Sequence, residues 1–183
     1  MNYRTNGKFK MNKIVTANLE SLDQMITFID SLSDAEYQYI PKPLFDSSIG
    51  QHLRHINDLF FALVNSTGDK INYDIRRRGA LVETDKQQGL KELQDIRSRV
   101  SKISTDDINR DTLVHTETAL NTPQTDIFKS SFGRELCFAS SHLVHHMAIM
   151  AAIAKMAGKE VDSTLGLAPA TASYVRELKG ALN

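Results

Sequence analysis

Apolar residues recur at helical spacing from Ile14 to about Leu32, through Ala17, Leu19, Leu22, Met25, Ile26 and Ile29. These positions share one face of a 3.6-residue helix. Pro41 and Pro43 then enforce a non-helical connection, because a proline lacks the amide hydrogen and restricts the residue before it. A second helix is expected to open at Ser47 or Ser48. Ser48 with Gln51 has the form of a capping box, in which hydroxyl and amide satisfy orphan backbone groups. It carries Ile49, Leu53, Ile56, Leu59, Phe60 and Leu63 and should end near Gly68. Thr84 and Gln87 have the same form and predict a third helix reaching about Ile103.

The pattern changes between Asp111 and Phe128. Leu113-Val114-His115-Thr116 and Thr125-Asp126-Ile127-Phe128 are rich in β-branched and aromatic residues and flank the turn signal Asn121-Thr122-Pro123. A short hairpin or extended crossover is expected there. A fourth helix should start after Ser130 or Ser131, continue to about Met156 and stop at Gly158. Gly166 to Thr171 reads as a turn, and Tyr174 to Leu182 as a last short helix. Long helices joined by a long crossover predict an all-α fold, an antiparallel four-helix bundle. The chain reads as a single domain over residues 1–183, with residues 1–13 a loose lead-in.

Composition narrows the function. Lysines and arginines balance aspartates and glutamates at 22 each, so neither nucleic acid nor a membrane surface is an expected partner. One cysteine, Cys137, cannot form an intramolecular disulfide, which fits a reducing compartment. The basic, polar N-terminus has no apolar segment after it, and the most apolar run, Met147 to Ala157, is short and contains Lys155. The protein is expected to be cytoplasmic.

The histidines carry the chemistry. Of six, five fall on two predicted helices: His52 and His55 on the second, His142, His145 and His146 on the fourth. Positions i and i+4 project to nearly the same helix face, so His142 and His146 form a natural chelating pair. A third imidazole from a facing helix, His52 or His55, would complete a three-nitrogen face with coordination positions left open for water or substrate. The residue pattern leaves open which of the two it is. A histidine among apolar neighbours is also commonly a core side chain bonded to a backbone carbonyl.

Several segments carry a family resemblance: Ser48-Ile49-Gly50-Gln51-His52-Leu53-Arg54-His55-Ile56, Tyr73-Asp74-Ile75-Arg76-Arg77-Arg78, Arg134-Glu135-Leu136, His142-Leu143-Val144-His145-His146 and Leu165-Gly166-Leu167-Ala168-Pro169-Ala170-Thr171. In order and spacing they resemble the DinB-like superfamily, which includes the YfiT-like metalloenzymes. The resemblance implies a four-helix bundle whose histidine triad, here His55, His142 and His146, binds zinc, nickel or iron(II). It also implies a homodimer and a small-molecule substrate. Many relatives follow the last ligand with Arg-Gly-Gln, where this chain has Met147-Ala148-Ile149.

Characterised relatives include transferases that join a low-molecular-weight thiol to an electrophile, so the resemblance implies a thiol S-transferase. A metal stabilises a bound thiolate, and it can equally activate water in a hydrolase. A non-catalytic stress-response bundle with a structural metal is the other class. Helpers can be named from position. Glu135 shares the face of His142 but lies about 10 Å along the axis, where it could line the pocket or simply favour the helix dipole. Asp58, one turn after His55, could orient an imidazole, although a solvent-facing acid is commoner. These two acids are the catalytic candidates. Gln51 and His52 could face the mouth, and Arg76, Arg77 and Arg78 could clamp an anionic substrate or thiol carboxylate. Cys137, about 140° around the helix from His142, reads as a buried core thiol, and Met147, Met150 and Met156 as core packing.

Overall fold

The computed structural model describes residues 12–66 and 69–181, and side chains as far as residue 178. The fold is mostly helical with a small three-stranded sheet. Helix α1 spans Lys13–Asp30 and is capped by the Asn12 side chain, which accepts from the Ile14 amide. Its buried stripe is Val15, Asn18, Leu19, Leu22, Met25, Phe28 and Ile29, the i, i+3, i+4 pattern of a core-facing helix. Most of the lead-in at residues 1–13 lies outside the described residues. Helix α2, Asp34–Gln38, is a single turn with its own Ser33–Glu36 capping box. Helix α3, Ile49–Val64, starts at the expected Ser48–Gln51 box. It stops at Asn65, earlier than the expected Gly68, which is outside the described residues.

Strand β1, Lys70–Asn72, and a 3-10 turn at Leu81–Glu83 lead to helix α4, Lys86–Val100. Thr84 does not cap α4. Its hydroxyl donates to Leu81 O, while the Asp85 carboxylate accepts from the Gln87 and Gln88 amides. A carboxylate at the helix N-terminus also meets the positive end of the dipole, which a hydroxyl does not. The short helix α5, Thr105–Asn109, precedes strands β2, Asp111–Glu117, and β3, Thr125–Ser131. These form the expected antiparallel hairpin, longer than anticipated, and β1 adds to β2 in parallel, giving the order β1-β2-β3. Helix α6, Phe132–Met156, is capped by the Ser131 side chain. Helix α7, Pro169–Ala181, begins five residues before the expected Tyr174, with proline at its first position, where the missing amide costs nothing. The expected terminus at Leu182 lies outside the described residues.

The four longest core helices pack pairwise: α1 against α4 and α6, and α3 against α4 and α6. One continuous apolar cluster fills the space between them. By length and composition α6 is long and apolar enough to cross a membrane. Its apolarity has a nearer cause, since it packs against both α1 and α3 and buries Leu136, Leu143, Met147, Met150 and Ile153.

One close approach fixes where α3 begins. Tyr37 of α2 is fully buried and donates its hydroxyl to Val82 O at 2.5 Å. A Cβ at Gly50 would overlap the Glu83 carbonyl and the Tyr37 ring, and one at Gly89 would meet the Tyr37 hydroxyl at 2.6 Å. The first turn of α3, the 3-10 turn and α4 can close on Tyr37 only because both positions lack a side chain.

Candidate metal centre

Helix α3 is held to the core by Leu53, Ile56 and Phe60, and α6 by Leu143, Met147 and Met150, all fully buried. The positions between these anchors turn toward the seam where α3 meets α6. His55 and His142 are half-buried there and His146 is buried. One ring nitrogen from each of the three lies within 4.8 Å of the other two. The ring centroids are 5.0 Å apart for His55–His142, 4.8 Å for His55–His146 and 4.6 Å for His142–His146. The Nε2 atoms of His55 and His142 are 2.8 Å apart. Two nitrogens bound to one zinc ion, each at about 2.0–2.1 Å, sit roughly 3–4 Å from one another. Adjustments of under about an ångström would therefore seat an ion between the three rings.

His52 faces the same seam in another role. Its Nδ1 lies 3.0 Å from His146 Nδ1, and its Nε2 lies 2.9 Å from Ser47 Oγ. Both ring nitrogens are thus engaged, and His146 is left with Nε2 to offer. His145 is exposed one position away from His146, on the outer side of α6.

The electrostatics keep these rings neutral. Burial, and next the neighbouring His142, push His146 from 6.5 down to about 3. The same two causes, with Arg76 adding to them, take His55 down to about 4. His142 is lowered by burial, then by His145 and Arg76, and His52 by burial, then by His145 and Arg54. A neutral imidazole has a free lone pair, the form in which histidine binds a metal. Three histidines in proximity could hold a divalent ion.

The sequence profile of the DinB superfamily matches residues 19–150, a span that contains all three histidines. The chain belongs to the DinB superfamily. It is also 30% identical over 107 residues to FK506-binding protein 5 of Rhizopus delemar. That match covers 58% of this chain and 28% of the relative's length.

The remaining residues of this DinB-superfamily site fall into place around the histidines, not always as their positions suggested. Gln51 does not face a mouth, because its Oε1 accepts from the Ser48 amide to close the capping box. Asp58 orients no imidazole and is not solvent-facing. It is buried and accepts from the backbone amide and Nε of Arg77 and from Arg54. Arg77 in turn donates twice to Glu92 of α4, which also accepts from Asn57 and Gln88. Arg54 reaches Glu83 as well, at 2.9 Å. Arg77 therefore pins its loop to α3 and α4 and is not free to clamp a ligand. Its guanidinium is held well above the usual range by the Glu92 hydrogen bonds, against some desolvation and with Asp58 helping.

Arg76 behaves differently. It is half-buried, and burial lowers its pKa despite the carboxylates of Asp58 and Asp74. Among the described residues it makes no ion pair, and its side chain donates only to Ile75 O. Its charge is felt at both His55 and His142. Arg78 is exposed.

Glu135 is buried, as a lining residue would be, but it is occupied by two hydroxyls. Tyr73 donates to it at 2.9 Å and Ser130 at 2.6 Å. It connects to the histidines only through rings: Tyr73 lies 5.7 Å from Phe138, which stacks on His142 at 5.6 Å and 25°. Cys137 is exposed, not buried. Leu136 and Ala139 take the inward positions, and a 100° step from Leu136 carries Cys137 outward. Met147 and Met150 are core residues, whereas Met156, at the helix end, is exposed.

A cavity of about 600 Å³ lies away from the histidines. It lies between the C-terminal half of α3 and β1, lined by Phe61, Ala62, Lys70 and Arg77 among others. Its walls bring no metal-binding or nucleophilic cluster together, so the chemistry points to the seam. Sequence reasoning missed Ser47, Tyr73 and Glu92. Ser47 stood only as a candidate helix start and Tyr73 only within a resemblance segment, and Glu92 is an acid on the inward stripe between Gly89 and Ile96.

Proposed function

We propose that this chain is a metal-dependent enzyme, a low-molecular-weight-thiol S-transferase, with one divalent ion held by His55, His142 and His146. The observation that carries the reading is the convergence of three neutral imidazoles, with no fourth His, Cys, Asp or Glu in the group among the described residues. Structural zinc sites are usually closed by a fourth protein ligand, whereas catalytic sites keep a position open. Three nitrogen donors suit zinc, nickel or iron(II) and are a poor set for magnesium or calcium. When bound, such an ion would hold a small thiol in its thiolate form at neutral pH.

The protein's own groups do the rest. Ser47 and His52 fix the orientation of His146. Arg76, without an ion pair among the described residues and with its charge felt at His55 and His142, would bind the anionic end of the thiol or its partner. The Phe138 ring forms one wall of His142 and limits water there. Around this site we read the architecture as an antiparallel four-helix bundle of α1, α3, α4 and α6, a single domain. We expect it to act in the cytoplasm as a homodimer on a small molecule.

Metal analysis of protein purified without a histidine tag, paired with thiol consumption in the presence of a haloaromatic electrophile, tests the reading. Wild type should carry one ion per chain and consume the thiol. His142→Ala should lose both. Full metal retention by His142→Ala overturns the site. Turnover without thiol would reassign the enzyme as a hydrolase, and tightly held metal with no turnover of either kind would leave a structural metal.

A further inference from the structure

Beyond Phe138 lies a second cavity, of about 380 Å³, between the first turns of α6 and one face of the sheet. The pairing of Ile71 with Val114, and of Val114 with Phe128, puts Tyr73, Val114, Thr116, Phe128 and Ser130 on that face, by the two-residue period of strands. Its aromatic walls are Tyr73, Phe128 and Phe138.

Glu135 at this cavity is 7% exposed and makes no ion pair among the described residues. Its only side-chain partners there are the hydroxyls of Tyr73 and Ser130. A carboxylate has about four lone-pair directions, so two hydroxyl donors leave capacity for a further donor. A buried acid without a counter-charge is costly, and an ammonium group entering the cavity would supply both the charge and the donors. Arg134, the preceding residue, is exposed at the rim with its Cζ 5.9 Å from the Phe138 ring centroid. It too makes no ion pair among the described residues, so it remains available to a carboxylate. An acid at the floor, two exposed cations in the lining, Arg134 and Lys129, and aromatic walls between them match a zwitterion with an apolar side chain.

We infer that this cavity binds an α-amino acid, or a small molecule ending in one, with its ammonium at Glu135 and its carboxylate at Arg134. The Phe138 ring then stands between the bound molecule and His142, as a wall shared by the two sites. The inference rests on the enzyme reading for its place in the reaction, and on the cavity alone for binding.

Calorimetry with S-methyl-L-cysteine tests it, because that probe has no thiolate to ligate a metal. Its two truncated analogues are 2-(methylthio)ethylamine, which lacks the carboxylate, and 3-(methylthio)propionate, which lacks the amine. Wild type should bind the zwitterion at least about tenfold more tightly than either analogue, as expected for loss of one charge-assisted contact. Glu135→Gln should lose that margin over the amine-free analogue, and Arg134→Ala the margin over the carboxylate-free one. Amide NMR shifts in wild type should map to Tyr73, Val114 and Phe138, a readout independent of whether Glu135→Gln folds. Equal binding of all three probes, shifts elsewhere, or no binding at millimolar probe would overturn the inference. Metal content, followed in parallel, separates the two readings. Zwitterion binding that survives in His142→Ala upholds the cavity even if the metal reading fails, and metal retention without zwitterion binding does the reverse.

Discussion

A ring nitrogen that binds a metal offers its lone pair, so the other nitrogen of that ring carries the proton. Under the proposed ligation of His146 through Nε2, the proton belongs on Nδ1, where it can be donated across 3.0 Å to His52 Nδ1. His52 must then be protonated on Nε2, which faces Ser47 Oγ at 2.9 Å. Each nitrogen has one consistent assignment, and His52 acts by positioning His146. Replacing His52 with phenylalanine keeps a ring of similar bulk but removes the acceptor. Cobalt(II) titration followed by visible absorbance should then show affinity about 10–100-fold weaker, the usual cost of losing such a partner. Ser47→Ala should cost less, because water can replace a hydroxyl at a half-buried site. Unchanged affinity in His52→Phe would mean that the contact between the rings does not orient the ligand.

The loop between β1 and α4 shows two neighbouring arginines with opposite tasks. Arg77 is tied to Asp58 and Glu92, which are buried, so truncating it leaves Glu92 inside without its cation and Asp58 with Arg54 alone. Arg77→Ala should destabilise by about 2–4 kcal/mol in urea unfolding, at the lower part of the range for breaking a buried pair because Arg77 itself is partly exposed. Arg76 has no such partner, and Arg76→Gln should stay within about 1 kcal/mol of wild type. Under the enzyme reading it should instead raise the KM for an anionic thiol and leave stability alone. If the two variants were equally destabilised, the division of labour would be wrong. The same loop marks the limit of what the sequence discloses. The α1 and α3 stripes were legible because each repeats an apolar spacing over three or more turns, α6 through its end signals at Ser131 and Gly158, α4 only through a capping form at Thr84 that Asp85 supplies instead, and the hairpin because β-branched residues flank a turn. The three residues of β1 and the single turn of α2 are too short to show a period. Arg77 lies 19 residues from Asp58 and 15 from Glu92, each on another element, at separations that no local pattern encodes. The convergence of His142 and His146 needed only i, i+4 spacing, whereas the choice of His55 over His52 needed the packing of α3 on α6.

At the scale of the whole molecule, the histidine cluster couples folding to pH. His55 and His146 titrate in the fold near 4 and 3 but near 6.5 when exposed, and His142 and His52 are lowered too. Above pH 6.5 the folded and unfolded chains are both neutral at these rings and the cluster adds no pH dependence. As pH falls below 6.5 the unfolded chain takes up protons first, so stability declines steadily toward the folded values. The depressed carboxylates, among them Asp23, Glu36, Glu92 and Asp107, add their own loss only as the pH approaches and passes below their ordinary values of 3.8 and 4.5. Between pH 6.5 and about 5 the slope therefore belongs mainly to the histidines. Metal-free protein should lose thermal stability across that interval, and His55→Gln, which removes one of the buried titrating rings, should flatten the curve there while leaving the carboxylate-dependent fall below pH 4.5 in place. A bound ion stabilises only the fold, and because His55 and His146 are already neutral in the fold at both pH values, added zinc should raise the midpoint at pH 5 as well as at pH 7. A wild-type melting temperature flat from pH 6.5 to 5, or a His55→Gln profile that overlays it, would show that these rings are not held neutral by the fold.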